Sequence, residues 1–140
     1  MALQTMPRMH ARAAQARARS RYVTDAVDTV SPAKLVTMLY DALVRDLQLA
    51  EDQLVGARDL RIVNDRLVHA QAIVLELRAG LDPTKWSGGP GLAQLYVFML
   101  DELVQANVAK DVERVRSVRK LVEPLQEAWH AAAASITGAR

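Results

Sequence analysis

The sequence predicts an all-α protein: an antiparallel four-helix bundle with a basic, partly disordered N-terminal tail. Its 140 residues are enough for one domain with a substantial core. Hydrophobic residues make up 51% of the chain but aromatic residues only 4%, so aliphatic side chains must form most of that core. Apolar residues recur at helical spacing in four segments, and the short connections between them favour antiparallel neighbours.

The first predicted helix covers residues 32–55. Ser31 can cap its free N–H groups, and Pro32 occupies the first helical position, where a missing N–H costs nothing. The apolar arc of this helix spans roughly 200°, about twice the ~100° stripe that one core contact needs. We therefore expect this helix to contact a partner as well as the core. The residues expected at that contact are Val36, Tyr40, Leu43 and Leu47.

The second predicted helix follows the cap residue Asp59 and stops at Gly80. Residues 81–91 form a loop dense in helix-breaking residues, and we expect Trp86 within it to cover one end of the bundle. The third helix, from about residue 92 to 109, also carries excess apolar surface. Val97 and Val104 widen its core face, and Phe98 projects among polar residues, so we expect all three to bind a partner.

The fourth predicted helix begins near Asp111 and has the single apolar stripe of a core helix. Leu121, Leu125 and Trp129 belong to that stripe, and the other face is charged. The predicted partner surface therefore lies on the first and third helices.

Positive charge is concentrated at the N-terminus, where residues 1–21 contain five arginines and no acid. The same residues offer no aromatic ring for base stacking and no broad apolar face for lipid, so we expect neither nucleic-acid binding nor membrane insertion. A block of like charge is usually solvated. We predict a tail over residues 1–21 and a helical bundle domain over residues 22–140.

Residues typical of catalytic and metal sites are few and badly spaced. The chain has no cysteine, which excludes thiolate sites and disulfides. Bundle metal sites need Glu-x-x-His on two helices, and this spacing occurs once, at Glu127 and His130. We therefore predict no enzyme activity, no cofactor and no metal. The N-terminus lacks the apolar core of a signal peptide, which favours a cytoplasmic location.

Six groups of residues follow one another in a characteristic order between Tyr22 and Trp129. They are residues 29–32, 34–41, 67–77 with 81–82, 92–96, 103–107 with 110–111, and 128–129. The ordered set resembles the flagellar secretion chaperone family, FliS. The resemblance implies a bundle that binds the disordered C-terminal segment of flagellin, prevents its premature polymerisation and delivers it to the flagellar export gate. It also implies that the segment around Tyr22 lies against the bundle and gives way to the client.

Two classes of function remain open at this point. One is the export chaperone, and the other is a structural helical homo-oligomer that uses the same apolar surface for self-association, including a homodimer when no client is bound. The predicted partner-binding residues are Tyr22, Val36, Tyr40, Leu43, Leu47, Val97, Phe98 and Val104.

Overall fold

The computed structural model describes residues 31–138, with side chains described through residue 136. The predicted tail, Tyr22 and the predicted domain boundary after residue 21 lie outside these residues. The chain's contacts divide it into two compact units, Met1–Leu35 and Val36–Arg140. The described part of the first unit is residues 31–35, where the first helix begins.

The described residues form four α-helices and no strand, which confirms the predicted all-α class. None of these helices is long and apolar enough to cross a membrane. Helices α1 and α2 have the predicted bounds. Helix α3 begins three residues earlier than predicted because Pro90 is accommodated in its first turn. The helices are α1, Pro32–Val55; α2, Leu60–Gly80; α3, Gly89–Ala109; and α4, Val112–Gly138.

Short polar side chains cap the starts of α1 and α2, as the sequence indicates. The Ser31 hydroxyl oxygen accepts a hydrogen bond from the Lys34 N–H at 3.1 Å. The Asp59 carboxylate accepts from the N–H groups of Arg61 and Ile62 at 3.1 and 3.3 Å. These bonds satisfy N–H groups that have no partner within the helix.

Polar contacts at two levels along the helices show that α1 and α4 run antiparallel. Glu51, near the end of α1, accepts a 2.7 Å hydrogen bond from Arg119, near the start of α4. Asp41, in the first half of α1, lies 2.7 Å from Nε2 of His130, in the second half of α4. Residues earlier in α1 therefore contact residues later in α4, as in antiparallel helices.

Two further contacts give the directions of the other helices. Asn107, near the end of α3, donates a 2.9 Å hydrogen bond to Asn64, near the start of α2, so these helices are antiparallel. The hydroxyls of Tyr40 and Tyr96 lie 2.6 Å apart and join α1 to α3. Helix α3 is antiparallel to α4, since its second half contacts the start of α4 and its start contacts the second half of α4, so α3 is parallel to α1. The described helices thus alternate in direction, as predicted for an antiparallel four-helix bundle.

All four helices contribute fully buried aliphatic side chains to one core. Examples are Leu43, Leu47, Val63, Leu67, Val74, Met99, Leu103, Val115, Val118 and Val122. One carboxylate, Asp46 of α1, is also buried; it accepts a 3.2 Å hydrogen bond from Arg66 and pairs with Nδ1 of His69 on α2. Within the described residues, no buried side-chain nitrogen or oxygen lacks a hydrogen-bond partner.

The wide apolar arc of α1 has a different cause from the one expected from the sequence. Helix α1 is joined to α2 through Asp46, to α3 through Tyr40 and to α4 through Glu51. A helix with three neighbours needs apolar residues over much more than a ~100° stripe. Most of the excess therefore serves contacts inside the bundle, while Met38, Leu49 and Val55 of α1 remain exposed.

Truncation of two apolar residues on α3 should distinguish a core position from a surface position by its effect on stability. Leu103 is fully buried and Val108 is 80% exposed. We expect Leu103→Ala to lower the free energy of unfolding by ~2 to 5 kcal/mol, because it leaves a cavity. Val108→Ala should change it by only a few tenths of a kcal/mol. Urea unfolding followed by circular dichroism measures both, and equal losses would contradict this core assignment.

The contribution of Glu51 to stability should depend on pH. Hydrogen bonds from Arg119 and then Arg116 hold the pKa of Glu51 below its ordinary value of 4.5. A lowered folded-state pKa stabilises the protein above the unfolded value, and this stabilisation is lost as the pH falls through the folded value. Glu51→Gln should therefore cost ~1 kcal/mol at pH 7 and almost nothing near pH 2. Urea unfolding at both pH values tests this, with the exposed Glu127→Gln as the control.

Candidate partner-binding surfaces

The structure removes three of the predicted partner-binding residues from the surface. Tyr40, Leu43 and Leu47 are fully buried in the bundle core, where no side-chain surface is left for a partner. These three residues pack in a core to which α2, α3 and α4 all contribute. Helical periodicity shows only that the apolar arc is wide, so it could not show that other helices cover all of these positions. Val36 is half-buried and packs against the core in the first turns of α1.

The three predicted residues on α3 are exposed, but they do not form one surface. Val97, Phe98 and Val104 are 60%, 49% and 39% exposed. Val97 and Val104 are two helical turns apart and share a face, whereas Phe98 is rotated by ~100° from Val97. Because α3 packs against both α2 and α4, these two directions lead to different neighbours. Val97 lines a pocket with Arg78 of α2, and Val104 shares its face. Phe98 follows Leu95 by one turn, and Leu95 lines a pocket with residues of α4.

The side of α3 next to α4 holds an apolar pocket of about 440 Å³. It opens where α3 begins and the second half of α4 passes, and the loop before α3 contributes one wall. Its main lining residues are Trp86, Leu92, Leu95, Leu125, Ala128 and Trp129. No charged side chain lines this pocket, so apolar contact is the main interaction that its walls provide.

The register of α3 and α4 extends this pocket into a groove. Arg114 donates a 2.8 Å hydrogen bond to Glu102, which pairs the start of α4 with the second half of α3. Counting seven residues from each member of this pair brings Leu95 opposite Leu121. Phe98 lies one turn beyond Leu95, and both Phe98 and Leu121 are exposed. We call the surface formed by the pocket, Phe98 and Leu121 the α3–α4 groove.

Buried aromatic residues support the floor of the α3–α4 groove. The ring of Trp129 stacks on Tyr40 with centroids 6.4 Å apart and an interplanar angle of 29°. Burial raises the pKa of the Tyr40 and Tyr96 hydroxyls, so both remain protonated and hydrogen-bonded to each other at neutral pH. The wall formed by Trp129 is therefore fixed to α1 and, through Tyr40, to α3.

Trp86 closes the groove at its loop end. Its side chain is half exposed, and its ring lies so close to Gly88 that a Cβ atom there would be 2.1 Å from the ring. Gly89 is equally constrained, because a Cβ atom would meet the Pro83 carbonyl oxygen at 2.5 Å. These glycines let the loop fold tightly before α3. Trp86 thus lines a pocket at the bundle end where the sequence predicted only a covering role.

The side of α3 next to α2 carries a second apolar surface. The Asn64–Asn107 hydrogen bond fixes the register of the two helices, and the same register brings Arg78 opposite Ala93. Both of these residues line a shallow pocket of about 290 Å³. The same register places exposed Val68 and Leu75 of α2 level with buried Leu103 and Tyr96, whose next residues along α3 are the exposed Val104 and Val97. We call the surface formed by Val68, Leu75, Val97 and Val104 the α2–α3 face.

Helical periodicity missed the residues that α2 and α4 add to these surfaces. Leu121 and Leu125 belong to the same stripe as buried α4 residues, so the sequence assigns them to the core. Val68 and Leu75 on α2 lie outside its core stripe, so the sequence could have predicted that these two residues are exposed. Both surfaces are suited to binding a helix. Among the described residues, no group of three or more His, Asp and Glu side chains is placed to hold a metal ion.

Comparisons with known proteins show the family of this chain. Residues 13–136 match the family model described as flagellar protein FliS. The flagellar secretion chaperone FliS of Bacillus subtilis (strain 168) is 30% identical over 108 residues, which cover 77% of this chain and 80% of that protein. The flagellar secretion chaperone FliS of Salmonella typhimurium (strain LT2) is 32% identical over 117 residues, which cover 76% and 80%. The chain therefore belongs to the FliS family of flagellar proteins.

Proposed function

We propose that this protein is a cytoplasmic, non-enzymatic export chaperone that binds the C-terminal segment of flagellin. The observation that carries the proposal is the α3–α4 groove, with Phe98 exposed on its edge among polar neighbours. An amphipathic segment that is disordered when free can fold as a helix in such a groove, with its apolar residues at helical spacing as anchors. The names of the two relatives support the flagellar role.

The chemistry of the groove explains how such a chaperone would act. A chaperone that covers the apolar stripe of the flagellin C-terminal segment would keep that stripe from contacting another subunit, which would prevent premature polymerisation. No charged group lines the pocket, so release requires no buried ion pair to be broken. The bound segment can then be handed to a component of the flagellar export gate.

Self-association through the same surface is the competing function. A homo-oligomer would bury Phe98 and Leu121 against another copy, and flagellin would leave its size unchanged. A chaperone instead forms a complex with its client, and the client dissociates any client-free homodimer. Size-exclusion chromatography with light scattering, with and without flagellin, distinguishes the two functions.

Truncation of Phe98 should weaken flagellin binding without unfolding the bundle. An aromatic residue that becomes fully desolvated at an interface typically contributes ~2 kcal/mol or more. Phe98→Ala should therefore raise the Kd for flagellin roughly tenfold or more, as measured by titration calorimetry. Val55→Ala removes a similarly exposed apolar side chain at the end of α1, far along that helix from the pocket, and should leave the Kd unchanged.

The thermal unfolding midpoint of Phe98→Ala shows whether the loss of binding reflects a loss of stability. Because Phe98 is half exposed, Phe98→Ala should leave the midpoint nearly unchanged. A variant that melts early but binds normally when folded would place Phe98 in the core and the client elsewhere.

Binding should also carry the heat-capacity signature of coupled folding. A segment that folds into an apolar groove buries a large apolar area and gives a strongly negative heat-capacity change. We expect calorimetry at several temperatures to show this change with full-length flagellin. Flagellin without its C-terminal segment should show no binding, and retained binding would contradict the proposed client segment.

A further inference from the structure

The α2–α3 face is separate from the proposed flagellin groove and differs from it in charge. Val68 and Leu75 are 50% and 54% exposed on α2, next to Val97 and Val104 on α3. Because Val97 is rotated by ~100° from Phe98, one helix bound in the α3–α4 groove does not also cover this face.

Carboxylates follow both long edges of the α2–α3 face. Asp65 and Glu76 lie three helical turns apart on α2, beside the stripe of Val68 and Leu75. Asp101 lies between Val97 and Val104 on α3. All three are exposed, and none forms an ion pair with another described residue, whereas Asp46, Glu51 and Glu102 do.

Positive charge near this face is confined to its two ends. Arg61 lies at the start of α2, and Lys110 lies at the same end of the face, where it donates to Asn107, the partner of Asn64. Arg78 lies near the end of α2, where it lines the shallow pocket beside Val97. The distance between Arg61 and Arg78 along α2 is about 26 Å at ~1.5 Å per residue. His69 lies between Asp65 and Glu76, and its Nδ1 is already paired with Asp46. The centre of the face is therefore apolar with acidic edges.

This charge pattern selects among the possible occupants. A second copy docked by two-fold symmetry would bring the acidic edges of both copies together, which opposes association. An anionic lipid surface or a nucleic acid would meet carboxylates along the length of the face and cations only at its two ends, which disfavours both of these partners. A helix whose apolar stripe is flanked by Lys or Arg would match both the apolar centre and the carboxylates.

We propose that the α2–α3 face binds a cationic amphipathic helix of a protein partner, independently of the α3–α4 groove. Aliphatic residues of that helix contact Val68, Leu75, Val97 and Val104, and its basic side chains pair with Asp65, Glu76 and Asp101. The apolar contact provides affinity, and the carboxylates determine which helices are accepted.

A designed peptide tests the proposal directly. The probe is a fluorescent helical peptide of about 18 residues, long enough to span the face, with leucines on one side and lysines along both edges of that side. A second peptide carries glutamates in place of the lysines. Fluorescence anisotropy at about 0.15 M salt should show the lysine peptide binding at least tenfold more tightly than the glutamate peptide. Equal affinities would overturn the proposal.

Matched charge variants locate the binding site. Asp65→Asn/Glu76→Gln should weaken binding of the lysine peptide about three- to tenfold, since each exposed ion pair contributes modestly. Asp52→Asn/Glu127→Gln removes the same charge from exposed carboxylates elsewhere and should have no effect. Equal weakening by both pairs would mean general attraction to an acidic protein, and the proposal would fail.

Apolar variants distinguish the two surfaces and the competing occupant. Leu75→Ala/Val97→Ala should weaken binding of the lysine peptide about tenfold, and Phe98→Ala should leave this binding unchanged. If Phe98→Ala weakened binding and Leu75→Ala/Val97→Ala did not, the peptide would lie in the α3–α4 groove. This result would overturn the proposal for the α2–α3 face and leave the flagellin proposal intact. Circular dichroism confirms that each variant is folded. A dimer that Leu75→Ala/Val97→Ala dissociates would show that a second copy occupies the face.

Discussion

The contacts of Tyr40 are the interaction on which the rest of the bundle depends most. Its hydroxyl hydrogen-bonds to that of Tyr96 on α3, and its ring stacks on Trp129 of α4. A buried hydroxyl is costly without a partner, and here each tyrosine provides the partner of the other. One side chain therefore aligns α1 with α3 and α4 at the end where the apolar pocket opens.

Polar contacts fix the other neighbours of α1. Asp46 pairs with Arg66 and His69 of α2, and Glu51 with Arg116 and Arg119 of α4. Each of these contacts can form at only one axial offset between the two helices. They therefore also determine the position of α1 along its neighbours. The apolar surface of α1 is largely used within the bundle, and α3, between α2 and α4, is left with exposed apolar residues on two sides.

The two outer surfaces of α3 suit different partners. The α3–α4 groove is lined by aromatic and aliphatic side chains without a charged residue in its pocket. The α2–α3 face is aliphatic and has carboxylates along its edges. Apolar contact gives affinity without strong discrimination, whereas charges at the edge select the partner. In our proposals, the protein therefore binds flagellin by shape and apolar area, and a second partner by charge as well.

The sequence by itself determined the four helices, their caps and the family. These depend on local patterns: Asp59 caps α2 from the adjacent position, and the repeat of Val63, Leu67 and Val74 marks its buried side. The sequence also indicated that Phe98 is exposed, since its neighbours on the helix are polar. Only the tertiary structure decided that Tyr40, Leu43 and Leu47 are core, and that Phe98 and Val97 face different neighbours. Periodicity reports the direction of a side chain around its own helix, but burial depends on how many other helices lie in that direction.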